Sequence, residues 1–172
     1  MNAGFLVIPL ILIRYGLLGL LSREALSRAA YFASLEGSEK AAYWVYQMTG
    51  VGAIVYLCFL TVTSDSLWFF ISLAVYIIGA VLYAASVVSY ARPKTSGINT
   101  AGLYGVSRNP MYVAYFIYFL GCTLMAKSLI LLAILVVFQI STHAIIRSEE
   151  RWCMEKFGGE YREYMRRVRR YI

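Results

Sequence analysis

Charge is scarce in this chain: 15% of its 172 residues are Asp, Glu, Lys or Arg, and only nine are acidic. An ordinary soluble domain carries about a quarter of charged residues, so the composition argues against a water-soluble fold. Cysteine is also sparse. Cys58, Cys122 and Cys153 form an odd, scattered set with neither disulfide nor zinc spacing, and no metal site is expected from them. Free cysteines in apolar surroundings act as small packing residues. No Gly-, Ser- or Pro-rich linker and no internal repeat interrupts the chain, so residues 1–172 read as a single domain. Gly50-Val51-Gly52 has neither the strand nor the phosphate-binding turn of a nucleotide fingerprint.

Long apolar blocks are what the chain does have, with 60% of its residues hydrophobic. Residues 5–21, 43–63, 67–90, 110–126 and 128–147 are each mostly apolar, and about 20 such residues in a helix cross a hydrocarbon core of about 30 Å. The expected fold is therefore all-α: an integral membrane bundle of five transmembrane helices. The first block has no basic residue ahead of it, contains Arg14 and is not followed by a small-residue cleavage site, which argues against a secretory signal. Arg14 is close enough to the end of its span to snorkel or to touch an internal cavity.

Five spans alternate the connectors between two sides, and the basic residues are lopsided between them. Arg23, Arg28 and Lys40 fall in the first connector, Arg92, Lys94 and Arg108 in the third, and eight more from Arg147 to Arg170 in the tail. The other side holds only Lys127, with Asp65 in its second turn. The positive-inside rule then predicts an external N-terminus and a cytoplasmic C-terminus. The net charge of +7 is accounted for by anionic headgroups, each basic residue gaining about 1 kcal/mol near them, and no nucleic acid is implied. After a helix stop expected at Gly158-Gly159, Tyr161, Tyr164, Met165, Val168 and Ile172 share one helical face. This predicts an amphipathic C-terminal helix lying in the cytoplasmic interface.

Polar residues near that side are the candidates for chemistry. Asn109 suits a helix cap and Pro110 the first turn of the fourth helix, while Arg108 just before them doubles as a topology charge. Gln139, His143, Arg147 and Glu150 recur at helical spacing on an otherwise apolar span, and intramembrane ionisable groups face the bundle interior or a cavity. Glu149 and Glu150 are adjacent carboxylates at the membrane boundary, with Arg108, Arg147 and Arg151 as alternative salt-bridge partners. Tyr76, Tyr83 and Tyr90 at heptad spacing read as helix packing.

Gly102-Leu103-Tyr104, then Arg108-Asn109-Pro110-Met111-Tyr112, a tight two-helix hairpin, Glu149-Glu150 and Phe157-Gly158-Gly159-Glu160-Tyr161-Arg162-Glu163-Tyr164 follow in order. This region, 102–172, resembles the isoprenylcysteine carboxyl methyltransferase family and the related phospholipid N-methyltransferases. The resemblance implies a membrane enzyme using S-adenosylmethionine, with Leu103, Tyr104, Arg108, Asn109, Pro110, Tyr112, Glu149 and Glu150 as cofactor-binding positions. In that reading Arg108 takes the cofactor carboxylate, Glu149 or Glu150 its amino group and ribose, and Tyr104 or Tyr112 its adenine. The tight turn at Lys127 and Ser128 places Arg108 and Glu150 at one depth, where they would bind the cofactor from opposite sides. Arg108, Glu150 and His143 are the catalytic candidates, Glu150 or His143 being the base that an amine acceptor would need.

Where many carboxyl methyltransferases of the family have His, this chain has Asn109, the form common in phospholipid methyltransferases. The acceptor is expected to be a lipophilic small molecule or a lipidated substrate: an isoprenylcysteine-like carboxylate, a phospholipid amine or similar. Two other readings remain open on the residues alone. One is a membrane reductase of the sterol type binding NADPH. The other is a non-enzymatic lipid-binding protein.

Overall fold

The computed structural model describes residues 1–29, 33–64, 66–92 and 98–172. Asp65 and Lys94, two of the connector charges counted above, lie outside the described residues. Among the described residues six helices form: α1 Ala3–Leu21, α2 Arg23–Ala29, α3 Glu39–Leu57, α4 Leu67–Ala91, α5 Pro110–Ala126 and α6 Leu129–Arg167. A 3-10 turn, Gly102–Gly105, precedes α5. The described residues contain no strand, only isolated bridges at Asn2–Thr61 and Ser107–Arg169.

Three helices, α1, α4 and α6, are long and apolar enough to cross a membrane. α5 is apolar but has 17 residues, and α3 carries Glu39 and Lys40 at its start. The predicted block 43–63 is shifted in the structure: α3 starts earlier, at Glu39, and stops at Leu57. Its last residues leave the helix because they pair with the N-terminus. Ala3 N donates to Leu60 O at 2.9 Å and Val62 N to Met1 O at 2.8 Å, and the Met1 ammonium donates to Val62 O at 3.0 Å. These bonds satisfy backbone groups that have no helical partner.

α4 and α5 make the most extensive helix pair, and α3 lies along α6. Glycines set the first contact. A Cβ on Gly79 would lie 2.5 Å from Tyr118 Cα, and one on Gly121 would lie 2.5 Å from Tyr76 Cα, so both positions must be bare for the backbones to approach. The tyrosine stripe packs as its spacing predicts. Tyr76 and Tyr118 hydroxyls meet at 3.0 Å, both bond to Leu6 O, and Tyr83 meets Tyr115 at 2.8 Å. Tyr90, the third of the stripe, instead faces a cavity.

The bundle has two unlike ends. One gathers Met1, Val62 and the Lys127 turn, where Trp68 Nε1 donates to Leu124 O at 2.9 Å. The other gathers the basic connectors and the tail, tied across by Arg151, which donates to both Glu39 carboxylate oxygens at 2.7 and 2.8 Å and to Ser34 O at 3.0 Å. Beside that guanidinium the Glu39 carboxyl is held down to about 2. Up to its kink at Gly158, α6 amounts to about 44 Å of helix at 1.5 Å per residue, beyond a hydrocarbon core of about 30 Å, so its C-terminal part extends out of that layer.

The expected stop at Gly158-Gly159 is a kink: Gly158 has φ 54°, a left-handed conformation that glycine adopts freely, and the helix resumes to Arg167. The tail beyond it does not turn its apolar face outward as the amphipathic reading expected. Tyr161 and Tyr164 are buried with Ile98, and Met165 and Val168 pack against them, because the tail returns to the segment before α5. There Arg108 N donates to Arg169 O at 2.9 Å. Ile172 alone of that face is left exposed.

The cysteines divide. Cys122 is buried as expected of a packing residue, whereas Cys58 is exposed and Cys153 lines the cavity.

Candidate active site

The charged end of the bundle encloses a cavity of about 610 Å³, within the range of about 300–1,000 Å³ usual for small-molecule sites. Local chain chemistry builds its walls. Gly102 has φ 58°, and a Cβ there would strike the Ser89 hydroxyl, so glycine is required on both counts. It turns the chain into the 3-10 segment that presents Tyr104, whose carbonyl accepts from Tyr164 OH at 2.6 Å. Burial pushes the Tyr104 phenol well above its ordinary range, so it stays neutral.

Pro110 opens α5 as expected. Asn109 holds the cap position, yet its side chain does not cap the helix. Its Nδ2 donates to Arg170 O at 3.1 Å and its own N–H donates to Ser107 Oγ at 3.1 Å. The returning tail needs donors for its carbonyls, and that need outweighs the cap.

Glu150 is the electrostatic centre. Arg170 donates to its Oε2 from Nε at 3.0 Å and from Nη2 at 2.7 Å, and Arg108 Nη2 lies 3.1 Å from its Oε1. The Arg108 and Glu150 side chains are 7% and 4% exposed. Hence the two do not face each other across a ligand: they form one buried ion pair, possible because the Lys127 turn makes α5 and α6 antiparallel. The Arg108 contact is off-line, and Arg108 Nε and Nη1 are buried without a hydrogen-bond partner among the described residues. Native buried donors are nearly always satisfied, which marks this guanidinium as able to receive an anion. Arg170 is in turn raised above the ordinary guanidinium range by its bonds to Glu150.

Glu149 lines the cavity and accepts from Tyr112 OH at 2.8 Å. Of the residues predicted for the site, Tyr104, Arg108, Asn109, Tyr112, Glu149 and Glu150 line this one space. Leu103 and Pro110 do not; they shape the backbone. His143 is excluded as well: it is exposed and bonds to Tyr171 OH through Nδ1 at 2.7 Å. The helix face that matters is therefore not the Gln139–His143–Arg147 stripe but that of Glu149, Trp152, Cys153 and Lys156, at spacings of three, four and seven. That periodicity was available in the sequence, as was Tyr115 three residues after Tyr112. Arg170 and Tyr46 had no comparable signal, since only tertiary folding brings them here. Arg14, on α1, also lines the cavity.

Membrane-crossing helices around a charged end with a ligand-sized cavity define a membrane-embedded binding protein or enzyme. The phospholipid methyltransferase family profile matches residues 67–160, more than half of the chain, and the chain belongs to that family of membrane methyltransferases. The matched stretch begins earlier than the motifs from Gly102, taking in α4, and ends before Tyr161 and the tail. The cobalt-zinc-cadmium resistance protein CzcN of Cupriavidus metallidurans is similar to this chain, 36% identical over 76 residues. That covers 44% of this chain, which spans about 35% of the relative's length.

Proposed function

We propose that this protein transfers a methyl group from S-adenosylmethionine to a lipophilic acceptor at the cytoplasmic face of a membrane. The observation that carries the reading is the buried, half-satisfied guanidinium of Arg108 opening on a cavity walled by Tyr104, Tyr112 and Glu149. Arg108 Nε and Nη1 lie on opposite edges of the guanidinium plane, and either one, with Nη2 beside it, suits a carboxylate. The phenol rings suit an adenine or a sulfonium cation. Bound there, the cofactor supplies a methyl group activated by the positive sulfur.

The chain's own part is orientation and exclusion of water. Glu150 is a positioning residue in this scheme: Arg170 bonds to its Oε2, and its Oε1, in ionic contact with Arg108 Nη2 without a hydrogen bond of its own, holds the guanidinium in place. Glu149, the carboxylate on the cavity wall that accepts from Tyr112, is the base in this reading and takes a proton from an amine acceptor. All five long helices would cross the membrane, with the N-terminus outside and the charged end cytoplasmic. The acceptor would then arrive from the bilayer between helices.

Calorimetry on detergent-purified protein tests the cofactor. Saturable binding of S-adenosylmethionine and none of NADPH is expected; the reverse preference overturns the proposal. Methyl transfer to lipid extract or prenylated thiol compounds should exceed transfer to water-soluble amines.

A further inference from the structure

The cavity has a second cationic pole that the cofactor scheme leaves unused. Arg14 lies on α1 within a π-helical turn, Leu12–Leu17, a rare backbone form found mostly as single turns and often at functional sites. Its Nη2 donates to Ala29 O at 2.9 Å. Arg28, the neighbour of Ala29, lines the same cavity with its guanidinium carbon 5.7 Å from the Tyr90 ring centroid. The two guanidinium groups therefore converge on one end of the space. Arg14 also bonds to the Tyr83 hydroxyl and feels the Glu149 carboxylate across the cavity, but among the described residues no carboxylate pairs with it at salt-bridge distance, and the partner of Arg28, Glu24, is 81% exposed on its own helix. A guanidinium inside an apolar helix is costly and is retained where it meets a counter-charge.

We propose that Arg14, with Arg28 as its second, holds an anionic group of the acceptor, so that the substrate joins an apolar chain to a phosphate or carboxylate close to the methyl-accepting atom. This rests on the methyltransferase reading, which assigns Arg108 to the cofactor and leaves this pole to the acceptor. Both arginines precede residues 67–160, the stretch shared with the family. The N-terminal helices thus select the acceptor, while the shared region handles the methyl donor.

The test uses the full chain in an uncharged detergent, saturated with S-adenosylmethionine so that Arg108 is occupied. Dodecyl phosphate, dodecanoate and dodecyltrimethylammonium are titrated by calorimetry. The parental chain is expected to bind at least one anionic amphiphile saturably and the cation not at all. Tighter dodecyl phosphate points to a phosphate-bearing acceptor and tighter dodecanoate to a carboxylate. Arg14→Gln should weaken the preferred anion by about ten- to a hundredfold, the loss expected for a charge-assisted contact, with cofactor affinity unchanged. Arg14→Lys should recover part of it, and Arg28→Gln should lose less.

Equal binding of all three amphiphiles, or an Arg14→Gln variant that binds the anion like its parent, overturns the subsite. Should Arg14→Gln fail to fold, the amphiphile preference of the parental chain and the Arg28→Gln variant decide in its place. Cofactor affinity measured on the same samples separates the two claims. Its absence in the parental chain sinks the methyltransferase reading, whereas its presence without anion preference sinks only the subsite.

Discussion

Replacing Arg108 by Ala tests the geometry of the site most directly, because the structure separates its effect on the fold from its effect on the ligand. Losing one partner of a buried ion pair ordinarily costs about 3–5 kcal/mol, since the other charge is stranded. Here Glu150 keeps two bonds from Arg170, at 3.0 and 2.7 Å, and the variant also deletes two buried donors, Nε and Nη1, that have no partner. The stability loss should therefore fall below that range. Cofactor affinity has no such compensation. A hydrogen bond to a charged group contributes about 1.5–3 kcal/mol, so Arg108→Ala should weaken S-adenosylmethionine binding roughly ten- to a hundredfold.

Arg108→Lys should restore only part, because an ammonium cannot offer two coplanar donors. Titration calorimetry reads the affinity, and thermal unfolding in the same detergent reads the fold. An Arg108→Ala protein that melts normally and binds the cofactor within about twofold of its parent would show that the cofactor carboxylate lies elsewhere.

Glu150→Gln should act mainly on stability and only indirectly on the ligand, lowering the melting temperature more than Arg108→Ala does; the opposite order would contradict its role as the anchor of two arginines. Gly79→Leu should destabilise the protein by at least about 1–3 kcal/mol, the usual cost of overpacking, since a Cβ there already meets Tyr118 Cα at 2.5 Å; an unchanged melting curve would mean that α4 and α5 are not in such close contact. The Glu39 carboxyl, held at about 2 by Arg151, lies below the unfolded value of about 4.3. Its contribution is present above the unfolded value and is lost as pH falls towards 2. Melting followed between pH 5 and pH 3 should drop less in Glu39→Gln than in the parent. In a background with all three cysteines replaced, Lys127→Cys should be labelled by an impermeant thiol reagent from outside intact cells and Ser38→Cys shielded; the reverse pattern would invert the orientation.

Membrane character, the positions of four of the five long helices and the gathering of Arg108, Glu149 and Glu150 at one end were legible in the sequence, because each rests on a local regularity. Apolar runs report helices, and a proline after an Asn reports a helix start. What the chain does between distant positions was not legible. Nothing in residues 43–63 says that the last of them leave a helix to pair with Met1 and Ala3. Helical spacing put His143 on a face with Glu150, yet the 3.6-residue period only relates positions to each other and does not say which stripe is turned inward. The direction is set by α3 lying along α6 and by the tail returning to Arg108.

That return is also why the apolar side of the tail packs on the protein, and why Arg170 becomes a partner of Glu150 twenty residues away. The sequence by itself determined an all-helical membrane chain with its charge, and its candidate chemistry, at one end. Only the tertiary structure decided which charges are paired, leaving Arg108 with buried donors to spare and Arg14 without a carboxylate partner among the described residues. Pairing is a property of distances across helices, and no spacing along one helix encodes it.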